Sequence, residues 1–461
     1  MNAFLAALAA PTKSAPVVQP DAPGFEPIKV LEIELGQPLP DVPTVDPRTG
    51  RAYRTAMALV RLHTQPLGWI ELRLDDGDLS AGAYAARIWS ALHERIVAHL
   101  HADGLPEATG LDAAGLPTAG APPCMRGRDE FLARAPFVSV VIPTHERPDC
   151  LALCLRALLE MDYPDFEIVV VDSVPETTAT ADLYRREYAG DPRVRYVRED
   201  RSGSAVARNR GLAAARAEYV AFTDDDAVVD RYWLAELIKG FDAAGDVACV
   251  TGLVLPMELE TPAQLWFEQY GGFGKGLERK VYDLGPNRPD NPMYPYNAGA
   301  YGHGNNMAVK KNIFRAIGNF DPTMGNGTPA LGGVDSEALL RVIITGHTLV
   351  YEPASFVYHL HRRSYAGLYK QVYAYGVGMT ALLTKTMLAN PSLLLDFARK
   401  IPASLRYTLD PGSAYHAQKG QDYPRELDRL ELRGLLYGPL AYARSWWWWR
   451  VSLPLERRRR R

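Results

Sequence analysis

Cysteine is scarce in this chain: Cys124, Cys150, Cys154 and Cys249 are the four among 461 residues. They show no metal-type pairing, and Cys150 with Cys154 has the spacing of neighbours on one helix face, so a reduced, cytosolic setting fits best. Net charge is nearly absent too. At −3, bulk electrostatics give no reason to expect nucleic acid as the main partner. No stretch reaches the roughly 18 uninterrupted apolar residues of a membrane-spanning helix. Met1 to Ala10 is apolar but lacks a basic leader and runs into Pro11-Thr12-Lys13, so no secretory signal is expected. There is no internal repeat. Also missing is a glycine-rich phosphate loop after the first strong strand, which argues against a dehydrogenase or a kinase.

What the chain does have is length and apolar content: 47% hydrophobic residues are ample for a large core with additions at both ends. Residues 1–27 are rich in Pro and Ala and read as disordered or extended. Strand-like runs at Ile28 to Leu35, Ala56 to Leu62 and Trp69 to Leu74, then a helical pattern from Ala81 to about His101, predict a small α+β module over 28–103. Residues 104–136 read as a linker. From Phe137 the pattern alternates: strand Val138 to Ile142, helix Cys150 to Glu160, strand Glu167 to Val171, helix around Asp182 to Tyr188, strand Val194 to Val197, helix Ala205 to Ala215, strand Glu218 to Phe222. That alternation predicts an α/β domain over 137–363, with a mostly parallel sheet and helices on both faces. Continuous apolar runs support burial of both sheet faces. Residues 364–461 read as a helical C-terminal region.

Chemistry concentrates at the strand ends, where open α/β sheets bind ligands. The strand ending at Phe222 runs into Asp224-Asp225-Asp226, three acids that repel one another unless a cation lies between them; hard oxygen ligands suit Mg²⁺ or Mn²⁺. The first strand ends in Pro143-Thr144-His145-Glu146-Arg147 and the second in Asp172-Ser173, side chains suited to a base and ribose. A second acid cluster, Asp335 and Glu337, follows Gly332-Gly333 at the start of a helix.

Taken in order, Val138 to Thr144, Ile168 to Asp172, Ala207 to Gly211 and Phe222 to Asp226 resemble the motifs of family-2 glycosyltransferases, over about Phe137 to Arg363. The resemblance implies a Rossmann-like GT-A fold, a nucleotide-diphospho-sugar donor, a divalent cation (Mn²⁺ or Mg²⁺) and inversion at the transferred carbon. It implies Asp224 and Asp226 as cation ligands, Asp225 near the ribose, and Pro143, Thr144, Glu146, Asp172 and Arg208 about the nucleoside. Gly304, Asn305 and Asn306 resemble the segment that closes the donor-sugar pocket. Asp335 matches the catalytic base, although Val334 stands where relatives carry Glu. Glu337 is a candidate for binding acceptor hydroxyls, and His359 for completing the metal shell. His361, Arg362 and Arg363 are the alternative partners of the diphosphate. Ser173 departs from the second Asp of many relatives and leaves the donor nucleotide open. Inverting transfer needs one carboxylate to take the acceptor proton and a cation on the leaving diphosphate, and two separate acid clusters match that division.

Trp446 to Trp449 beside Arg457 to Arg461 suit peripheral contact with an anionic membrane at its inner face, and suit equally a core-packing helix with a basic tail. A Gln-x-x-Arg-Trp element is absent, which disfavours repeated polymerisation. The acceptor stays open among glycan, lipid-linked and small molecules. The competing classes are a metal-dependent nucleotidyltransferase, for which a basic phosphate loop is missing, and a non-catalytic nucleotide-sugar-binding protein.

Overall fold

The computed structural model describes residues 22 and 24–452 apart from 48, 75, 76 and 411. Most of the N-terminal stretch 1–27 and the Arg457 to Arg461 run therefore lie outside the described residues.

Three strands, β1 (Ile28–Glu34), β2 (Thr55–Leu62) and β3 (Gln65–Arg73), form a small sheet in which β1 is parallel to β2, and β2 and β3 form a hairpin. Helix α1 (Ala81–Ala102) covers it, burying Ala81, Tyr84, Ala85, Ile88, Leu92, Ile96 and Leu100 at the three- and four-residue spacing of one helix face. A helix not anticipated in the linker, α2 (Pro123–Leu132), starts with Pro at its first position, where the missing N–H costs nothing.

The large sheet has nine strands, and its central part follows from the alternating pattern. β4 (Val138–Thr144), β5 (Phe166–Ser173), β6 (Val194–Glu199) and β7 (Tyr219–Phe222) pair in parallel in the order β7-β4-β5-β6. Along β4, Val138, Val140 and Ile142 enter one core and Val141 the other, so the alternating side chains of a strand buried on both faces are all used. Helices α3 (Pro148–Leu159) and α4 (Ser204–Ala214) supply the crossovers.

Beyond β7 the sheet becomes mixed. β8 (Ala227–Val229) leaves the acid cluster, then come α5 (Trp233–Lys239), β9 (Val247–Pro256), α6 (Pro262–Tyr270), β10 (Lys280–Tyr282), β11 (Met307–Lys310), α7 (Val334–Ile344) and β12 (Thr348–His359). β11 lies antiparallel between β7 and β9, whereas β12 is parallel to β9 and antiparallel to β8 and β10. These reversals carry later segments back to the carboxyl edge of the early strands.

The C-terminal region is helical, as expected: α8 (Tyr365–Ala389), α9 (Leu394–Leu409) and α10 (Glu426–Trp447). It is not a separate layer, since Tyr365, Leu368, Val372, Leu427 and Leu430 share a core with β4 and β5. α8 and α10 run side by side in the same direction, Tyr365 meeting Glu426 near their starts and Thr380 bonding the Leu435 carbonyl further along. α9 lies across the return between them. Among the described residues no helix is long and apolar enough to cross a membrane.

Candidate active site

Strand register places the first carboxylates. In the β4–β5 pair Thr144 stands opposite Asp172, so both side chains reach the same edge. β7 ends at Phe222, and the following Asp225 accepts a hydrogen bond from Thr144 Oγ1 at 2.7 Å. Burial and the neighbouring Asp226 push the Asp225 carboxyl up to about 6. Asp226 accepts from Arg147 Nη1 at 2.7 Å. Burial opposes its ionisation too, but His359, Arg147 and Arg362 prevail and hold its carboxyl well below the usual range. Asp224 is the most open of the three and pairs with Arg208 at 2.9 Å; desolvation raises its carboxyl despite that partner.

His359 arrives by the β12–β8 pairing, which sets it opposite Ala227 and brings its Nε2 to 3.2 Å from Asp226 Oδ1. Ligand atoms of Asp224, Asp226 and His359 all lie within 4.8 Å of one another. His359 Nδ1 lies 3.2 Å from His361 Nδ1, and His361 Nε2 lies 2.7 Å from Glu268 Oε1. The carboxylate fixes the proton on His361 Nε2, leaving His361 Nδ1 to accept from His359 Nδ1–H. His359 Nε2, which faces the Asp226 oxygen, is then placed either to donate to that carboxylate or to give its lone pair to a cation held between them. Two carboxylates and one imidazole fit Mn²⁺ or Mg²⁺.

The second acid cluster meets the first across Gly304. β11 pairs antiparallel with β7, Met307 opposite Phe222, so residues just before β11 face those just after β7. The Gly304 N–H donates to Asp335 Oδ2 at 2.8 Å, and a side chain at 304 would come within 2.9 Å of the Asp335 Cβ and 3.3 Å of Arg208. Only glycine leaves room there. Asp335 sits in the first turn of α7, whose N-cap Gly333 has φ 78° and lies where a side chain would strike the Gly378 carbonyl of α8. Burial works against its charge, but His303, Arg208 and the N–H groups of Gly304 and Ser336 outweigh it and keep the carboxyl below its ordinary value. The result is an ionised, oriented carboxylate able to accept a proton.

Residues 139–317 match the sequence model of Glycosyl transferase family 2. The chain carries a family-2 glycosyltransferase domain. It is 32% identical over 131 residues to the putative teichuronic acid biosynthesis glycosyltransferase TuaG of Bacillus subtilis, covering 28% of this chain and 50% of that one. Over 160 residues it is 31% identical to a pre-mycofactocin glycosyltransferase of Mycobacterium tuberculosis, covering 35% of this chain and 30% of the relative. This chain thus spans half or less of the length of these curated relatives. Among solved structures, the mannosyltransferase PcManGT of Pyrobaculum calidifontis, in complex with GDP-Man and Mn²⁺, gives a TM-score of 0.43 at 20% identity over 68% of this chain and 95% of that one.

Within the glycosyltransferase domain, several side chains have duties other than those expected. Arg208 is paired with Asp224 and close to Gly304, at the acid clusters rather than at the nucleoside end. Glu146, at φ 53°, accepts from the backbone of Glu176 and Thr177 at 2.9 Å each and ties the loops after β4 and β5 together. The Asn306 side chain is wholly buried and spent on Leu253, Ser355 and the Trp233 indole, so it cannot touch a sugar. Glu337 is also buried, paired with Arg341 and Lys385, and unavailable to acceptor hydroxyls. Arg363 is held by Glu258 and His361 by Glu268, which leaves Arg362 as the diphosphate candidate of that trio. Pro143 closes β4 beside Thr144, and Asn305 Oδ1 is buried with no partner.

Asp172 accepts from Tyr196 at 2.7 Å while its Oδ1 is buried and unpartnered, and burial raises its carboxyl. An acceptor left open at the strand edge suits an N–H of a base. Residues the sequence reading missed are Arg147, His303, Phe273 and Tyr375. The Phe273 ring packs edge-on against His303, His359 and His361, and α8 brings Tyr375 close enough for Asp335 and Asp224 to raise its phenol, after burial. Arg147 stands in the loop after β4 and His303 directly before Gly304, within stretches the sequence marked; Phe273 and Tyr375 had no motif to mark them.

Proposed function

We propose that this protein transfers a sugar, with inversion, from a nucleotide-diphospho-sugar to a hydroxyl acceptor. The observation that carries the reading is the meeting of an ionised Asp335 with the Asp224, Asp226 and His359 cluster across the small gap kept open by Gly304. Thr144 and Asp172 hold the nucleoside, the open Asp172 Oδ1 taking an N–H of the base. Arg147 and Arg208, which balance Asp226 and Asp224, turn to the diphosphate when a cation takes their place; Arg362 adds charge from the β12 end. Bound by Asp224, Asp226 and His359, Mn²⁺ or Mg²⁺ supplies charge stabilisation for the departing diphosphate. Asp335 takes the acceptor hydroxyl proton, and the attack lies opposite the leaving group.

Asp335→Asn is the test. Metal-dependent donor binding stays near that of the unaltered chain while turnover falls about a hundredfold or more, the pattern of a lost general base. Full activity in that variant would overturn the assignment of the base, and donor binding without turnover in the unaltered chain would favour a non-catalytic binder.

The reading extends to a cytoplasmic protein held at the inner face of a membrane, where a lipid-linked acceptor is at hand. Its support among the described residues is the exposed Trp446 and Trp447 together with α9, which has no buried residue and exposes Leu394, Ile401, Leu405 and Leu409 as one stripe. Arg399 and Arg406 flank that stripe, the pattern of a helix lying in an anionic interface. Flotation with anionic liposomes falls at least about tenfold on replacing Ile401 and Leu405 by Asp, and weakens with salt. Equal flotation of variant and unaltered chain, or none by either, removes the membrane from the proposal.

A further inference from the structure

Outside the transferase site, four metal-ligating side chains converge in the N-terminal module. His63 lies in the two-residue turn between β2 and β3; His99 and Asp103 stand four apart at the end of α1; Cys124 is the second residue of α2. His63 Nδ1 is 3.0 Å from His99 Nε2 and 3.2 Å from Asp103 Oδ2, His99 Nε2 is 3.5 Å from Asp103 Oδ2, and Cys124 Sγ is 4.0 Å from His99 Nε2. All four ligand atoms lie within 4.8 Å of one another. A tetrahedral zinc with ordinary bond lengths separates its nitrogen, oxygen and sulfur ligands by about 3.3–3.6 Å. The observed separations bracket that range.

Hydrogen bonding alone serves this cluster poorly. Two imidazole nitrogens 3.0 Å apart hold one proton between them, and the Asp103 oxygen faces both. His63 Nε2 is buried without a partner, so every polar contact of that ring passes through Nδ1, the atom aimed at the cluster. The turn carrying His63 is itself costly: His63 and Thr64 have φ 54° and 70°, a conformation that suits Asn-Gly far better than a β-branched residue. Glu34 secures it by accepting both backbone N–H groups at 2.9 Å. The second carboxylate oxygen of Asp103 accepts the Cys124 N–H at 2.9 Å and so fixes the carboxylate against the helix that brings the thiol.

We propose that His63, His99, Asp103 and Cys124 form a closed structural zinc site. A carboxylate and a thiolate together balance the dication, two imidazoles complete a tetrahedral shell without an open position, and the thiolate selects zinc over the oxygen-seeking cation of the transferase site. The ion closes the connection between α1 and α2 and sets the start of α2. One turn on, the buried Arg128 of that helix donates to Thr64 at 2.6 Å and lies 3.5 Å over the Tyr232 ring of the transferase domain. Zinc thus fixes the element that docks the module to the sheet.

The full chain, purified with zinc and dialysed against metal-free buffer, is expected to retain one zinc per chain by elemental analysis. Replacement by Co²⁺ gives the intense visible bands of a tetrahedral ion and a thiolate-to-cobalt charge-transfer band. Cys124→Ser loses that band and binds zinc at least about tenfold more weakly in competition with a chromophoric chelator. Asp226→Ala retains the zinc, which separates this ion from the transferase cation. Should Cys124→Ser not fold, His63→Asn and the chelator-induced fall in melting temperature of the unaltered chain carry the same test. Absence of zinc after dialysis, a cobalt spectrum without thiolate character, or equal zinc affinity with and without Cys124 would overturn the proposal.

Discussion

At the carboxyl edge of the large sheet, Asp224, Asp226 and His359 converge beside arginines, and Asp224 keeps a third of its side chain exposed. At the end of α1, His63, His99, Asp103 and Cys124 converge from three elements, with His63 and Asp103 buried. The first group is oxygen-rich and paired with Arg147 and Arg208; the second mixes nitrogen, oxygen and sulfur on two buried and two half-buried residues. Exchange is what a donor-binding site needs, since a cation that arrives with its diphosphate must leave with it. Permanence is what a module joint needs. One fold separates the two duties by ligand softness and by whether arginine side chains or backbone N–H groups pair with the surrounding carboxylates.

The comparison breaks most visibly at Asp226. Asp226→Ala is expected to abolish cation-dependent donor binding, read by calorimetry with Mn²⁺ and a panel of nucleotide-sugars, since it removes the one carboxylate that His359, Arg147 and Arg362 jointly keep ionised. Unchanged affinity would move the cation elsewhere. A smaller effect sharpens it. His361→Ala removes the ring that sets the His359 tautomer and should weaken Mn²⁺ about ten- to a hundredfold, measured by paramagnetic titration, with the nucleoside contacts intact. An unaltered Mn²⁺ affinity would mean that His359 needs no such partner.

Much of the fold was legible because buried parallel strands advertise themselves as uninterrupted apolar runs: Val138 to Ile142 and Glu167 to Val171 fall in β4 and β5. The mixed half was less so, since β10 and β11 are three and four residues long and take their direction from neighbours distant in sequence. At the site, residues fixed by strand ends were where expected, Thr144 with Asp172 and the aspartates after β7. Asn306 and Glu337 were misread because a polar side chain looks the same in sequence whether it meets a ligand or closes a buried network. Cys124 shows the reverse error. Its partners His63 and His99 lie 61 and 25 residues away, and short spacing rules do not reach a ligand set assembled from a hairpin turn and two helix ends.

The backing of α7 has a consequence for how the chain comes into being. The helix that carries Asp335 rests, through Gly332 and Gly333, on the backbone of Ala374 and Gly378 in α8, and α8 is in turn pressed against α10 at Gly376, Gly434 and Gly438. A ribosome delivers the three aspartates more than 200 residues before the last of these contacts exists. While that interval lasts, the nascent chain has its acids but no wall behind its base. Asp335 therefore has its full backing only when α8 and α10 are both in place, although neither helix contributes an acid to the cluster.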